Sequence, residues 1–80
     1  MAVIRLFAQA REVAGTSRDF IEGRTVGDVL DEAVRRWGAE FAAVLARSKV
    51  WCNGEEVPRS HPVSGNDEVA VLPPVSGGAK

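Results

Sequence analysis

The chain has a single cysteine, Cys52, so no disulfide can staple it and no zinc site of the cysteine-rich kind can assemble. Charge of one sign is lacking as well. Ten Lys and Arg stand against eleven Asp and Glu, a formal net charge of -1. That balance supplies none of the positive field that nucleic acid or anionic lipid requires, and neither is expected as a partner. No stretch approaches the roughly 20 consecutive apolar residues of a membrane span. The start, Met1-Ala-Val-Ile-Arg-Leu-Phe, is not a basic segment leading into a long apolar run. The expected setting is reducing and cytoplasmic, with neither export nor insertion. No glycine-rich stretch lies between a strand and the start of a helix, so a phosphate-cradling loop is not expected either.

What is present is 80 residues, 45% hydrophobic and 26% charged. This is too apolar for a disordered polypeptide and too short for two domains. At this size folding withdraws only roughly 60% of the unfolded surface from water, which makes the core thin and a deep cofactor pocket unexpected.

Residues 3 to 8 are rich in strand formers, and period two divides them into Ile4, Leu6 and Ala8 toward the core and Val3, Arg5 and Phe7 toward the other face. Arg5 between two apolar neighbours suits a face open to water or to another protein. A longer loop ends in the turn Gly15-Thr16-Ser17, and residues 18 to 22 return as a peripheral antiparallel strand. Thr25 is a helix N-cap, with Asp28 as a short capping-box partner. Val26, Leu30, Ala33, Val34 and Trp37 then recur at helical spacing, and Asp31/Arg35 and Glu32/Arg36 form i,i+4 pairs opposite them. Gly38 ends the helix, and a second short one is predicted over residues 40 to 47. Residues 49 to 52 read as a strand that turns at Asn53-Gly54 and returns through Glu55-Glu56-Val57. Pro58 and Pro62 place residues 58 to 64 in a loop, and the apolar run from Glu68 to Leu72 reads as an interior strand.

This order predicts an α+β domain over residues 1–72, a sheet of four to five strands with one main helix across one face, followed by a C-terminal tail, 73–80.

Few residues in the domain suggest catalysis. Cys52 in a strand reads as a small hydrophobe, because nothing places a basic group or an orienting partner beside it, and His61 sits in a proline-flanked loop. Glu55 and Glu56 are adjacent in an extended segment, point to opposite faces and cannot act as an acid/base pair. Trp37 and Trp51 read as core or interface anchors. The tail differs. Two prolines bar Pro73-Pro74-Val75-Ser76-Gly77-Gly78-Ala79-Lys80 from a ladder or a helix. Extended, the six residues from Pro73 to Gly78 reach roughly 20 Å. The proline pair favours a stiff projecting arm, and the side-chain-free glycines suit a narrow channel in another protein. The composition equally suits an ordinary flexible terminus, and from the residues alone both readings stay open.

The segment from Asp67 through Leu72-Pro73-Pro74-Val75-Ser76-Gly77-Gly78 resembles the C-terminal signature of the ubiquitin-like sulfur carriers of MoaD/ThiS type, most closely the branch forming the small subunit of molybdopterin synthase. Leu6-Phe7-Ala8-Gln9-Ala10-Arg11-Glu12 with Gly15, Thr25 through Leu30, and Val50 through Gly54 resemble that family's first strand and loop, helix start and central hairpin. The similarity spans residues 3 to 78.

The resemblance implies a β-grasp fold with the first and last strands as parallel central neighbours. It implies that a ubiquitin-activating-type adenylyltransferase uses ATP and Mg to adenylate the Gly78 carboxylate, and that a sulfur donor protein then converts it to a thiocarboxylate. The chain itself binds no cofactor and is no enzyme alone. In the similar synthase, two large and two small subunits form a heterotetramer, and the small-subunit tail enters the large subunit's active site to convert precursor Z to molybdopterin. On this basis Gly78 is the acceptor, Gly77 passes the narrow channel, and Pro73, Pro74, Val75 and Ser76 form the arm. Val3, Arg5 and Phe7 are the expected docking face. The family signature ends at the second glycine, whereas this sequence continues with Ala79-Lys80, so the reading expects these two residues to be processed away or to be an added extension. Rival readings are a carrier for thiazole, cysteine or tRNA thiolation, a ubiquitin-like relative attached to lysines of other proteins, a β-grasp interaction module with an inert tail, and an autonomous enzyme acting through Cys52.

Overall fold

Thr25 starts the longest helix as expected: its Oγ1 accepts the Asp28 N–H at 3.1 Å. The Asp28 carboxylate reaches past Thr25 and accepts the Arg24 N–H at 3.1 Å. The computed structural model describes residues 1–74, and this helix spans Val26–Trp37. In chain order the elements are β1 (Ala2–Leu6), α1 (Ala8–Ala14), β2 (Arg18–Ile21), α2 (Val26–Trp37), α3 (Ala39–Ala46), β3 (Lys49–Cys52), β4 (Glu55–Glu56) and β5 (Glu68–Leu72).

The strands form one mixed sheet in the order β2-β1-β5-β3-β4. β1 and β5 are parallel, with Ile4 beside Val69 and Leu6 beside Val71, while β2, β3 and β4 pair antiparallel with their neighbours. The central parallel pair is the one the family resemblance implies. Parallel strands require a long crossover, and here it carries all three helices to one side of the sheet.

The core lies between that side and the helices. Ala2, Ile4, Leu6, Ile21, Cys52, Val69 and Val71 meet Val26, Val29, Leu30, Ala33, Phe41 and Val44. Each large apolar side chain withdrawn from water contributes roughly 1.5–3 kcal/mol. Trp37 and Phe41 stack edge to face at 5.1 Å across Gly38, where α2 stops and α3 begins.

Three expectations change. Residues 3 to 8 are not one strand: β1 stops at Leu6, and Ala8 is an exposed helical residue with φ +53. Ala2 takes the core position expected of Ala8. Residues 8 to 14, read as loop, form α1, which lies against α3, buries Ala10 with Val13 and Ala14 packed beside it on the core, and closes at Gly15, whose N–H donates to the Arg11 carbonyl. Among the described residues the sheet therefore carries the expected main helix, α2, with the short helices α1 and α3 beside it. Asp31 pairs with Arg59 at 2.6 Å instead of with Arg35, because the 58–64 loop packs over the start of α2, where Gly27 N–H donates to the Arg59 carbonyl. Glu32 and Arg36 do pair, at 3.7 Å.

Candidate functional site

β5 is central, so the chain leaves the sheet from its middle, between β1 and β3. Leu72 lies beside Lys49 in register, and Phe7 follows Leu6, whose neighbour is Val71. Pro73 is buried and Pro74 is exposed. Pro73, the first residue of the expected tail, is therefore covered by the domain, and Pro74 is the last described residue. Val75, Ser76, Gly77 and Gly78, with Ala79 and Lys80, lie outside the described residues.

Beside this exit is a shallow, mainly apolar groove of about 410 Å³, lined by Arg47, Lys49, Trp51, Leu72, Pro73 and Pro74. Alternation along β3 and β5 builds it: Lys49, Trp51, Ala70 and Leu72 point away from the helices, opposite to the buried Cys52, Val69 and Val71. Arg47 and Lys49 share the groove lining with Trp51 and Leu72, a combination suited to a partner with apolar side chains and acidic neighbours.

The same face carries the sequence-predicted docking residues, with one correction. Val3 is only 6% exposed. Its register neighbours Phe20 and Glu68 flank it on the same face, so it supports the sheet and offers nothing to a partner. Arg5 and Phe7 do come together, with the guanidinium 5.9 Å from the ring centroid, and Arg5 also pairs with Glu68 at 3.6 Å. Phe7 is 38% exposed although it caps the start of α1, and Phe20 on β2 is 52% exposed. Sequence reasoning missed Phe20, Leu72, Lys49 and Arg47. For the first three the signal was the same period-two alternation that singled out Arg5, whereas Arg47 follows α3 and had none.

The domain's other reactive groups point away from catalysis. Burial, and then the negative charge of Asp67, push the Cys52 thiol up, whereas a nucleophilic thiolate needs the opposite shift. His61 uses its backbone, its carbonyl accepting the Val26 N–H at 2.9 Å. Glu55 and Glu56 lie opposite Cys52 and Trp51 respectively, on different faces. Among the described residues no cluster of His, Cys, Asp or Glu is placed to hold a metal ion, and no helix is long and apolar enough to cross a membrane.

The ThiS family model matches residues 4–78. Small archaeal modifier protein 1 of Haloferax volcanii is 38% identical over 84 residues, covering 92% of this chain and 97% of the relative. Its crystal structure superposes with a TM-score of 0.80 at 36% identity over 96% of this chain and 98% of that one. A candidate molybdopterin converting factor, subunit 1, of Pyrococcus furiosus gives 0.77 at 26% identity over 92% and 97%. A chain in the complex of subunits 1 and 2 of the molybdopterin-converting factor of Helicobacter pylori gives 0.65 at 19% identity over 96% and 97%, a likeness of fold alone.

Proposed function

Since this chain belongs to the ThiS family of ubiquitin-like, β-grasp sulfur carriers and modifiers, we propose that it carries sulfur on the carboxyl of Gly78 and delivers it, as the small subunit of a molybdopterin synthase, to precursor Z. The observation that supports this most is the exit of the chain from the central strand beside an open, partly apolar face, which lets a partner grip the domain while it takes up the segment beyond Pro74. The carboxylate is a poor electrophile. Adenylation by a partner joins it to AMP and releases pyrophosphate from ATP. The terminal sulfur of a donor protein's persulfide then attacks the acyl carbon and AMP leaves; thiols reduce the resulting acyl disulfide, cleaving its S–S bond and becoming a disulfide themselves, and the thiocarboxylate released is a soft nucleophile toward carbon.

In this reading the catalytic side chains belong to the large subunit, and the chain contributes the arm (Pro74, Val75, Ser76), the slender Gly77 and the acceptor Gly78. Arg5 and Phe7, joined by Trp51 and Leu72, form the docking face. Removal of Ala79 and Lys80 precedes activation, because adenylation needs a free carboxyl at Gly78. Mass spectrometry of the protein from its native cells tests this. The expected species ends at Gly78 with one carboxyl oxygen replaced by sulfur; a population that keeps Lys80 and carries no sulfur overturns it.

A second reading draws support from the Haloferax volcanii relative, which is named as a modifier. Here the activated Gly78 carboxyl is attached to amino groups of other proteins. The same Gly78 serves both readings, so the pathway is separated by the large partner recovered with the chain and by whether Gly78 is found in amide linkage. Loss of Gly77 and Gly78 abolishes either carrier function in a folded domain, whereas a docking module with an inert tail keeps its partner binding.

A further inference from the structure

β2 is an edge strand, with β1 on one side and no strand of the described residues on the other. The Leu6 N–H donates to the Ser17 carbonyl at 2.9 Å, which sets the phase of the ladder. Asp19 and Ile21 therefore turn their backbone groups toward β1, and Arg18 and Phe20 turn theirs outward. Outward groups on an edge are what an arriving strand needs.

At Phe20 both are already taken. Its N–H donates to Asp19 Oδ1 at 2.8 Å, and its carbonyl accepts from Arg36 Nη1 at 3.2 Å. The same Arg36 nitrogen donates to Asp19 Oδ2 at 2.9 Å. One ion pair between β2 and α2 thus closes both backbone groups of one residue. The Phe20 side chain, by contrast, stands 52% exposed on the open face, with the Arg18 guanidinium 5.8 Å from its ring centroid.

We propose that the β2 edge is a latent interface for a second copy of this chain, held shut by the Asp19–Arg36 clasp. Charge complementarity selects the occupant and the register. Antiparallel pairing centred on Phe20 places Phe20 against its counterpart and lets the two exchange N–H and carbonyl. It also sets Arg18 opposite Glu22 twice, and all three residues are exposed in the single domain. A shift of two residues in one direction sets Asp19 against Asp19, and in the other Arg18 against Arg24, so like charges oppose both alternatives. At the far edge β4 is only two residues long, Glu55 and Glu56, and repels its own copy.

Sedimentation equilibrium on the full chain tests the proposal, with circular dichroism confirming the fold of each variant. The wild type is expected to be monomeric. Arg36→Ala and Asp19→Ala, which open the clasp from opposite sides, are each expected to dimerise roughly tenfold or more tightly. Adding Arg18→Glu to Arg36→Ala should abolish the dimer, and adding Glu22→Arg to that pair should restore it. Folded but monomeric clasp variants overturn the proposal. So do dimers indifferent to Arg18→Glu, or an opened edge that binds an unrelated extended peptide as well as it binds itself.

Discussion

Asn53 Nδ2 donates to Asp67 Oδ1 at 3.1 Å, joining the β3–β4 turn to the residue that leads into β5. Asp67 Oδ2 accepts the Ser64 N–H at 3.0 Å, and Asn53 Oδ1 accepts the Glu68 N–H at 3.0 Å. Asp67 thereby steadies the start of the strand whose other end delivers the C-terminal segment.

The backbone bond from Ser64, and then the side-chain bond from Asn53, hold the Asp67 carboxyl below its ordinary value of 3.8. The unfolded chain therefore binds this proton first as pH falls. The stabilisation from Asp67 is complete above its unfolded pKa and is lost as pH drops from there through the folded value. Thermal melts of the wild type should fall as pH drops below about 4. Asp67→Asn should melt lower at neutral pH, since its amide replaces an acceptor with a donor, and should show a flatter acid limb. Identical acid limbs would contradict the role given to Asp67.

Two backbone positions should respond in opposite directions. Ala8 sits at φ +53, a left-handed conformation that costs a residue with a Cβ roughly 1–2 kcal/mol. Ala8→Gly relieves this and returns part of the gain as chain entropy, for a net stabilisation of about 0.5 kcal/mol. Gly54 at φ +88 already exploits the freedom, so Gly54→Ala should destabilise by about 1 kcal/mol. Urea titrations of the two variants measure both signs.

Phe41 is fully buried where α2, α3 and the sheet meet. Truncation to Ala costs about 3–5 kcal/mol at such a site. A chain of this length has a total stability of about 4–12 kcal/mol. Phe41→Ala should therefore leave a large unfolded fraction at 25 °C and, by removing the ring stacked on Trp37, shift tryptophan emission to the red. A native-like melting temperature for this variant would show that the core is not organised around this ring.

The open face separates docking from support. Phe7→Ala and Trp51→Ala should weaken the complex with the large partner by roughly tenfold or more each while the domain stays folded. Val3→Ala should lower the melting temperature and leave the affinity unchanged, because Val3 is covered by its own sheet. Titration calorimetry with the isolated partner checks all three, and equal affinities throughout would remove this face from the docking model.

The helix start at Thr25, the Asn53-Gly54 turn and the alternation of β5 were legible because each depends on residues within a few positions of one another. The short helix α1 was not. Its N-cap, Phe7, makes no side-chain bond to it, and its apolar stripe is only Ala10, Val13 and Ala14, so no cap marks it and the 3.6 period is too short to stand out. That short stripe and the run of good helix formers from Ala8 to Glu12 were the signs available. At the site, the residues around the exit were half legible: alternation placed Arg5 and Phe7 on one side of β1, but not Lys49, Trp51 and Leu72 around the same opening.

Taken alone, the amino-acid order determined which segments extend, where the main helix begins and that the final stretch cannot join a ladder, since φ/ψ preference, capping and side-chain alternation are short-range. Tertiary structure decided that Val3 is covered, that Pro73 belongs to the domain, that Asp31 turns to Arg59, and that Asp19 meets Arg36 across 17 residues of chain. Alternation tells a side chain which way to point, whereas its burial and its partner depend on which distant strands and helices the closed sheet brings alongside.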